Sequence, residues 1–362
     1  MRAYVATGIM GTFAFDAKGG LIEKRLFPKK AEEIARKLEK ATLIPEEEDL
    51  LRALVARGYK EAVLAKKAAF PGLSLLFQDD HLGIRKLQEE FRSLAISLKW
   101  VTSQAELNEL LSAVSGLRTA GQLRQQSRDR IILHTIGMFD ELERGLNTLS
   151  ERLREWYGLH FPELARELRD HEAFAAAIAK AGARDRIPEV ADLGKTSAGM
   201  DFTDADLKEV QSIAAAVADL YQRKTSLAIY LENLCQELIP NISAVAGKLL
   251  GARLLAQAGG LERFSRMPSS TVQVLGAEKA LFRHLKGEGK SPKFGLLFAH
   301  PLVQQAAPEH KGKAARLIAA KLTLAARMDF FSKENHGAEL RKALDEQAKQ
   351  LQIGTASTGQ GS

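Results

Sequence analysis

The sequence predicts an α+β fold that is mostly helical, with a small N-terminal α/β domain, a central antiparallel helical coiled coil and a C-terminal all-α domain. Three observations predict it: short strand patterns near the start, an apolar heptad in the middle, and helical periodicity interrupted by short loops afterwards. We expect domains at 1–116, 117–236 and 237–352. Residues 353–362, rich in glycine, serine and threonine, are predicted to be disordered.

The N-terminal segment mixes strand and helix patterns. Apolar and β-branched residues bounded by turn residues predict strands, and Pro45 marks the start of a helix because proline is tolerated in the first turn. The predicted strands are 4–5, 12–15, 21–27, 62–65 and 73–77, and the predicted helices are 29–40, 46–57 and 80–98.

The central segment carries an apolar residue at alternating steps of three and four. This spacing keeps one seam on a helix and suits a coiled-coil partner. A second seam follows after a reversal, which predicts an antiparallel pair; an ordinary helix bundle is the alternative. The first seam is Ile132, Thr135, Phe139, Leu142, Leu146, Leu149, Leu153 and Trp156, and the second is Leu207, Val210, Ala214, Val217, Tyr221, Ala228, Leu231 and Cys235.

The last segment is predicted to be all-helical. Helices are expected at 242–257, 277–286 and 313–330. Glycine and proline mark loops at 259–260, 267–269 and 287–292.

Composition narrows the class of protein. With 45% hydrophobic and 27% charged residues in a chain of 362, the sequence is typical of a globular protein of two or three domains. No apolar run reaches the roughly 18 residues of a membrane span, and the N-terminus has the pattern of a strand rather than a signal peptide. The single cysteine, Cys235, excludes an intrachain disulfide and favours an intracellular, reducing compartment.

Positive charge is concentrated in the C-terminal third. The chain has a formal net charge of +7. Residues 238–327 alone hold 14 lysines and arginines against 4 acidic residues. This imbalance favours a polyanionic partner.

The sequence offers weak evidence for any catalytic site. Gly289-Lys290-Ser291 and Gly194-Lys195-Thr196 lack the earlier glycine and the preceding strand of a nucleotide-binding loop. The eight histidines are dispersed, and no strand leads into G-x-G-x-x-G, the pattern of a dinucleotide-binding fold. We therefore expect no metal, no cofactor and no catalytic residue.

The cations of the C-terminal third predict an RNA surface. Each is alone an ordinary solvated side chain, but together they are unbalanced by acids, and Gly276 and Ala277 allow a phosphate to approach the helix that follows. Aromatic stacking platforms are lacking, so structured RNA recognised through its backbone fits better than a plain single strand. The candidates are Lys279, Arg283 and Lys286 on one helix face, Lys290 and Lys293 in the next loop, and Lys313, Arg316 and Lys321 on a later helix.

Three stretches of sequence carry a resemblance to a known family. "LIPNISAVAGKLLGARLLAQAGGLERFSRMPSSTVQVLGAEKALFRHLKG" and "GKAARLIAAKLTLAARMDFF" resemble a NOP domain, and the likeness continues upstream through "WYGLHFPEL". As far as about residue 350, the chain resembles the archaeal NOP-domain scaffold of box C/D guide-RNA particles, kin of the paired nucleolar scaffold proteins of eukaryotes.

The resemblance implies partners for each domain. The N-terminal domain would dock fibrillarin, which methylates ribose 2′-hydroxyls. The coiled coil would join two scaffolds in a homodimer. The NOP domain would grip a box C/D guide RNA together with a kink-turn-binding, ribosomal-type protein. The implied dimerisation seam is Phe139, Leu142, Leu146, Leu149, Leu153 and Trp156.

The resemblance also assigns individual residues. Gly276, Ala277, Glu278 and Lys279 match the family signature, and the helix after it, with Arg283, lies close to RNA in the family. Lys248 and Arg253 match a basic opening helix. Glu278 would either tether lysine or arginine side chains or serve the protein partner; the sequence leaves both open.

Two rival functions remain at this point. One is a spliceosomal-type NOP scaffold without fibrillarin docking, and the other is a stand-alone RNA-modifying enzyme. The strand-rich N-terminal domain favours the methylation scaffold, which would work in the cytoplasm of an archaeon or in the nucleolus of a eukaryote.

Overall fold

The computed structural model describes residues 1–350, apart from the side chain of Glu189. The predicted disordered tail, 353–362, lies outside the described residues. Contacts divide the chain into two units, Met1–Gln126 and the residues from Ser127 onward.

The first unit is built on a five-stranded sheet in the order β3-β2-β1-β4-β5. Strand β2 pairs antiparallel with both β1 and β3, whereas β4 and β5 continue the sheet in parallel with β1. Each observed strand overlaps its predicted range. The strands are β1 Arg2–Gly8, β2 Gly11–Phe15, β3 Leu21–Leu26, β4 Glu61–Leu64 and β5 Ser74–Phe77.

Four helices cover the two faces of this sheet. Alternate residues of a strand face opposite sides, so Phe13 and Phe15 enter one core with α1, α3 and α4, whereas Ala14 enters a second core with α2. The helices are α1 Ala31–Glu39, α2 Pro45–Ala56, α3 Leu82–Ser97 and α4 Gln104–Arg124.

The domain boundary expected at residue 116 falls inside α4. Leu107 and Val114 of this helix are buried in the first unit's core, so α4 belongs to that unit along its length. Gly116 does not interrupt the helix, and the division between units comes after Gln126. A glycine in mid-helix is tolerated because it costs only about 1 kcal/mol.

The second unit begins with two long antiparallel helices, α5 Asp129–Gly158 and α9 Asp204–Leu238. Ion pairs between the two helices show that they run antiparallel. Arg128, at the start of α5, pairs with Glu237 near the end of α9, and Lys224 Nζ lies 2.9 Å from Glu143 Oε1. The predicted antiparallel pair is confirmed. Between these helices the chain forms α6 Leu164–Glu167, α7 His171–Ala181 and α8 Ala191–Lys195.

The predicted first seam divides between two faces of α5. Phe139, Leu146 and Leu153 are buried within the chain, but Leu142 is half-buried, and Leu149 and Trp156 are 42% and 39% exposed. They are therefore not one intermolecular seam.

Buried hydroxyl groups explain why the inner face of α5 differs from the predicted seam. Ser150 Oγ lies 3.0 Å from the Tyr221 hydroxyl, and the Tyr157 hydroxyl donates to the Gly182 carbonyl at 2.9 Å. Because both groups are hydrogen-bonded, their burial is tolerated. Ser150 and Tyr157 thus take the inner positions that an apolar count gives to Leu149 and Trp156.

The C-terminal helices form one core with the base of α5 and α9. Ile132 and Phe139 of α5 and Leu231 of α9 pack with the C-terminal helices, so packing is continuous across the boundary expected at 236. The helix predicted over 242–257 is broken at Gly247, whose φ is +83°. The helices are α10 Pro240–Ala246, α11 Lys248–Ala258, α12 Leu261–Arg266, α13 Ser269–Gln273, α14 Glu278–Leu285, α15 Pro301–Gln305, α16 Lys311–Arg327 and α17 Gly337–Gln350.

Candidate nucleic-acid interface

Helix α14 presents the predicted cationic face to solvent. Lys279 and Arg283 lie one turn apart on it, and Lys286 caps its C-terminus on the same side. All three are exposed and, within residues 1–350, none lies in an ion pair. Three unbalanced cations on one face can contact successive phosphates without reading bases.

The same helix exposes two apolar side chains. Phe282 is 59% and Leu285 is 75% exposed, and no residue of α14 is buried. Lys286 Nζ lies 4.7 Å from the centre of the Phe282 ring, which places a cation over an aromatic face. Phe282 belongs to the stretch that resembles the family's RNA-proximal helix, but the sequence predicted no aromatic platform, and the exposure of this ring corrects that expectation.

The loop after α14 carries Lys290 and Lys293. His284 Nδ1 lies 2.8 Å from the Gly289 carbonyl, and Gln273 Nε2 donates to the Lys293 carbonyl at 2.7 Å. These bonds tie the loop to α14 and to α13. Gly289-Lys290-Ser291 therefore follows a helix, not the strand that a nucleotide-binding loop requires.

Helix α16 adds cations beside this loop. Lys313 and Arg316 are exposed and line, with Lys293, an open cleft of about 820 Å³ between α13, the loop and α16. Lys321 is half-buried and does not line it. Five residues of an α-helix turn by about 140°, which carries Lys321 away from Arg316.

Lys248 and Arg253 belong to internal ion pairs rather than to this surface. Lys248 Nζ lies 3.1 Å from Glu232, and Asp140 Oδ1 accepts from Arg253 Nη2 at 2.6 Å and from Arg253 Nε at 3.1 Å. Their charges are balanced by acids on α9 and α5. These acidic partners are distant in sequence, so the charge pattern did not reveal them. The expectation that Lys248 and Arg253 face RNA stays a prediction, and this neutralisation weakens it.

The Gly276–Lys279 signature forms the turn into α14. Gly276 has a φ of +87°, and a Cβ there would lie 2.7 Å from Leu296 Cγ, so both backbone and space require glycine. Its N–H donates to Glu278 Oε1 at 2.8 Å. Glu278 makes no ion pair with lysine or arginine within the described residues, so the expected tether of basic side chains is absent.

Other reactive groups are placed structurally. Cys235 is buried, and burial raises the pKa of its thiol to about 11. Across residues 1–350, His, Cys, Asp and Glu nowhere gather in a group of three or more able to hold a metal ion. In the same range, every helix is too short or too polar to cross a bilayer.

Two family models match most of the chain. Residues 138–350 match the model described as Nop, snoRNA binding domain, fibrillarin, and residues 2–124 match the archaeal Nop5/56-related N-terminal domain. The division between these matches agrees with the end of α4.

Curated relatives show the same likeness. The chain is 42% identical to an uncharacterized NOP5 family protein of Methanocaldococcus jannaschii over 57% of the chain and 53% of the relative. Against nucleolar protein 58 of Scheffersomyces stipitis identity is 34%, over 94% of the chain and 67% of the relative. Against human nucleolar protein 56 it is 36%, over 62% and 42%. The chain spans about half the length of several curated relatives that it matches.

Among solved structures, a chain of a fibrillarin/Nop5p complex aligns over 96% of this chain and 99% of its own, with 18% identity and a TM-score of 0.42. The family rests on the sequence matches. The Nop model alone covers more than half of the 362 residues, including the turn at Gly276, all of α14 and all of α16. The chain therefore belongs to the Nop family, with an archaeal Nop5/56-related N-terminal domain ahead of its Nop domain.

Proposed function

We propose that the chain is a non-catalytic scaffold of a box C/D guide-RNA particle that directs 2′-O-methylation of ribose in rRNA, and in tRNA as a second substrate. Its partners are fibrillarin, a kink-turn-binding ribosomal-type protein, the guide RNA and a second copy of the chain. The observation that carries the proposal is the unbalanced cationic face of α14 within a Nop domain.

The RNA-binding part of the proposal follows from electrostatics. Lys279, Arg283 and Lys286 carry no neutralising partner in the described chain, so phosphates can replace their counterions. The cleft lined by Lys293 and Arg316 extends this field to a second element. A surface of this kind holds RNA geometry and leaves sequence recognition to base pairing by the guide.

The first unit is proposed as the fibrillarin-docking module. Its sheet and four helices have their own cores, so it can serve as a separate binding unit. Its match to an archaeal Nop5/56-related domain favours a methylation scaffold over the spliceosomal type.

Self-association is assigned to the outer stripe of α5. Leu142, Leu149 and Trp156 repeat every seven residues, and the last two remain exposed after α9 has packed. A heptad stripe left open on a long helix suits a second coiled-coil partner. The homodimer is therefore proposed on this stripe, and not on the buried Leu146 and Leu153.

Reconstitution tests the proposal. The full chain, archaeal fibrillarin, the kink-turn protein and a guide RNA are mixed, and transfer of labelled methyl groups to a target RNA is measured. We expect methylation to require the chain and expect the chain to co-purify with fibrillarin. Full methylation without the chain would refute the proposed role.

A separate arm tests the stand-alone enzyme. Calorimetry of the chain with S-adenosylmethionine, without fibrillarin, should show no saturable heat. A micromolar site for the methyl donor would favour the enzyme instead.

A further inference from the structure

We propose that Glu278 is a positioning residue that fixes the cationic face of α14 through Gly276 and Gln257, without itself touching RNA or a partner protein. This inference rests on the proposed RNA-binding function of α14.

Hydrophobic packing holds helix α14 only weakly, through the half-buried Leu281 that lines the cleft beside α16. Helix α14 has eight residues, none of them buried, and Phe282 and Leu285 face solvent. A helix shorter than about 12 residues is marginal in water on its own. Its orientation therefore depends on the bonds at its ends.

Glu278 supplies the bond at the N-terminal end. Its Oε1 accepts from the Gly276 N–H at 2.8 Å and from Gln257 Nε2 at 3.1 Å. Gln257 lies on α11 between Leu255 and Ala258, which are fully buried in the C-terminal core. One carboxylate oxygen thus connects the first turn of α14 to a helix that is anchored in the C-terminal core.

Glycine at 276 makes this connection possible. The positive φ of Gly276 turns the chain into α14, and the absence of a Cβ leaves room for Leu296. Leu296 N–H donates to the Leu275 carbonyl at 2.8 Å, which closes the other side of the turn. Residues 275 to 278 are therefore held from both sides.

The carboxylate is kept ionised in this position. Partial burial alone raises the pKa of Glu278, but the N–H groups of Gly276 and Glu278 and the Gln257 amide lower it by more, to below its ordinary 4.5. A negative charge beside a phosphate-binding face opposes RNA binding. Positioning and charge therefore predict opposite effects when Glu278 is replaced.

This opposition gives a sharp test. Glu278→Gln keeps the accepting oxygen and removes the charge, whereas Glu278→Ala removes both. Binding of each full-length variant to a preformed complex of kink-turn RNA and kink-turn protein is measured. We expect Glu278→Gln to bind as well as or better than the wild type, and Glu278→Ala to bind about threefold to tenfold more weakly, the range of one net hydrogen bond.

Two further variants complete the test, one as a charge control and one on the other side of the linkage. Glu288→Ala removes a nearby exposed carboxylate that makes no side-chain hydrogen bond within the described residues, and should bind as well as or better than the wild type. Gln257→Leu should weaken binding, and its effect should not add to that of Glu278→Ala, since both break one linkage.

Hydrogen exchange provides a readout independent of RNA. In the free chain, the amides of α14 should exchange faster in Glu278→Ala than in Glu278→Gln, while α11 and α16 stay protected. Unchanged protection of α14 in the alanine variant would overturn the inference, whether or not the wild type binds RNA. Failure of the wild type to bind RNA would instead refute the proposed function.

Binding data can overturn it in two other ways. Tighter binding by both Glu278 variants would mean that the residue acts only through its charge. Equal weakening by both would mean that its charge contacts the protein partner directly.

Discussion

Single buried polar residues set several helix starts, and His300 is the clearest case. It is fully buried, its Nε2 lies 3.1 Å from the Val245 carbonyl, and its Nδ1 accepts from the Leu302 N–H at 3.2 Å. Only the neutral ring with its proton on Nε2 satisfies both bonds. Burial lowers the pKa of His300 below its ordinary 6.5, although the bond to Val245 partly opposes this.

We expect His300 to make stability depend on pH. Because its folded-state pKa is depressed, the unfolded chain binds more protons below pH 6.5, so stability falls as pH drops from about 6.5 toward the folded pKa. His300→Asn keeps the N-cap acceptor but loses the Val245 bond, so it should cost about 1–3 kcal/mol at pH 7.

Calorimetric unfolding of both chains at pH 7 and pH 5 measures the effect. The loss of stability between these values should be smaller in His300→Asn, because the titrating ring is gone. An identical loss in the two chains would show that other groups set the pH dependence.

At the residue scale, the sequence predicted which charged side chains are exposed to solvent better than it predicted their ion-pair and hydrogen-bond partners. Lys279 and Arg283 are exposed and unpaired within the described chain because they lie on a short polar helix with few acids nearby in sequence. Arg253 looked equally free, but Asp140, 113 residues earlier, is its partner. Gln257 gave no signal, since its bond to Glu278 exists only after α11 and α14 fold together.

At the element scale, the cationic face of α14 should bind RNA through phosphates. Replacing Lys279, Arg283 and Lys286 by alanine should weaken binding to the kink-turn RNA–protein complex for any base sequence. Each lost phosphate contact should flatten the salt dependence by roughly 0.7 to 0.9 log units per decade of salt. Affinity at several salt concentrations, with circular dichroism to confirm folding, measures both effects.

A triple variant with the same loss of charge provides the control. Lys208, Lys342 and Lys349 are exposed and lie on α9 and α17, and their replacement by alanine should change affinity and salt slope little. If the α14 variant behaves like this control, the RNA face lies elsewhere, with Lys313 and Arg316 next to be tested.

The two faces of α5 should respond differently to charge. Leu149→Asp with Trp156→Asp should abolish the dimer in sedimentation while the chain stays folded, because both side chains are exposed in the single chain. Leu146→Asp should instead destabilise the helix pair by several kcal/mol, since it places a carboxylate in a buried site.

Ile229→Asp is the matched control for the dimer. Ile229 is an exposed apolar residue of α9, outside the α5 stripe, and its replacement should leave the dimer intact. A dimer that survives Leu149→Asp with Trp156→Asp would exclude this stripe as the interface.

Apolar spacing predicted where most helices lie but not which of their residues are buried. The heptad located α5 and its antiparallel partner, because apolar spacing determines which side is covered. It misplaced Leu149 and Trp156 because Ser150 and Tyr157 are buried through hydrogen bonds that an apolar count does not see. Gly247 breaks a predicted helix by a positive φ, a conformation that sequence spacing does not reveal.

At the scale of the whole molecule, the two units divide the proposed work. The base of α5 and α9 shares one core with C-terminal helices that include α16, so the coiled coil and α16 form a single packed body. The first unit has separate cores. We therefore expect RNA binding and self-association to survive without the first unit, and methyl transfer to depend on it.

Deletion of Met1–Gln126 tests this division, with the cut placed after α4 because a cut at residue 116 would leave part of that helix without its core. Sedimentation and RNA affinity of the remaining chain should match the full chain, and circular dichroism should retain the helical signal. Methylation by the reconstituted particle should fall to background because fibrillarin is no longer tethered. Activity that survives the deletion would place the docking of fibrillarin in the second unit, and loss of RNA binding would show that the first unit contributes to the RNA surface.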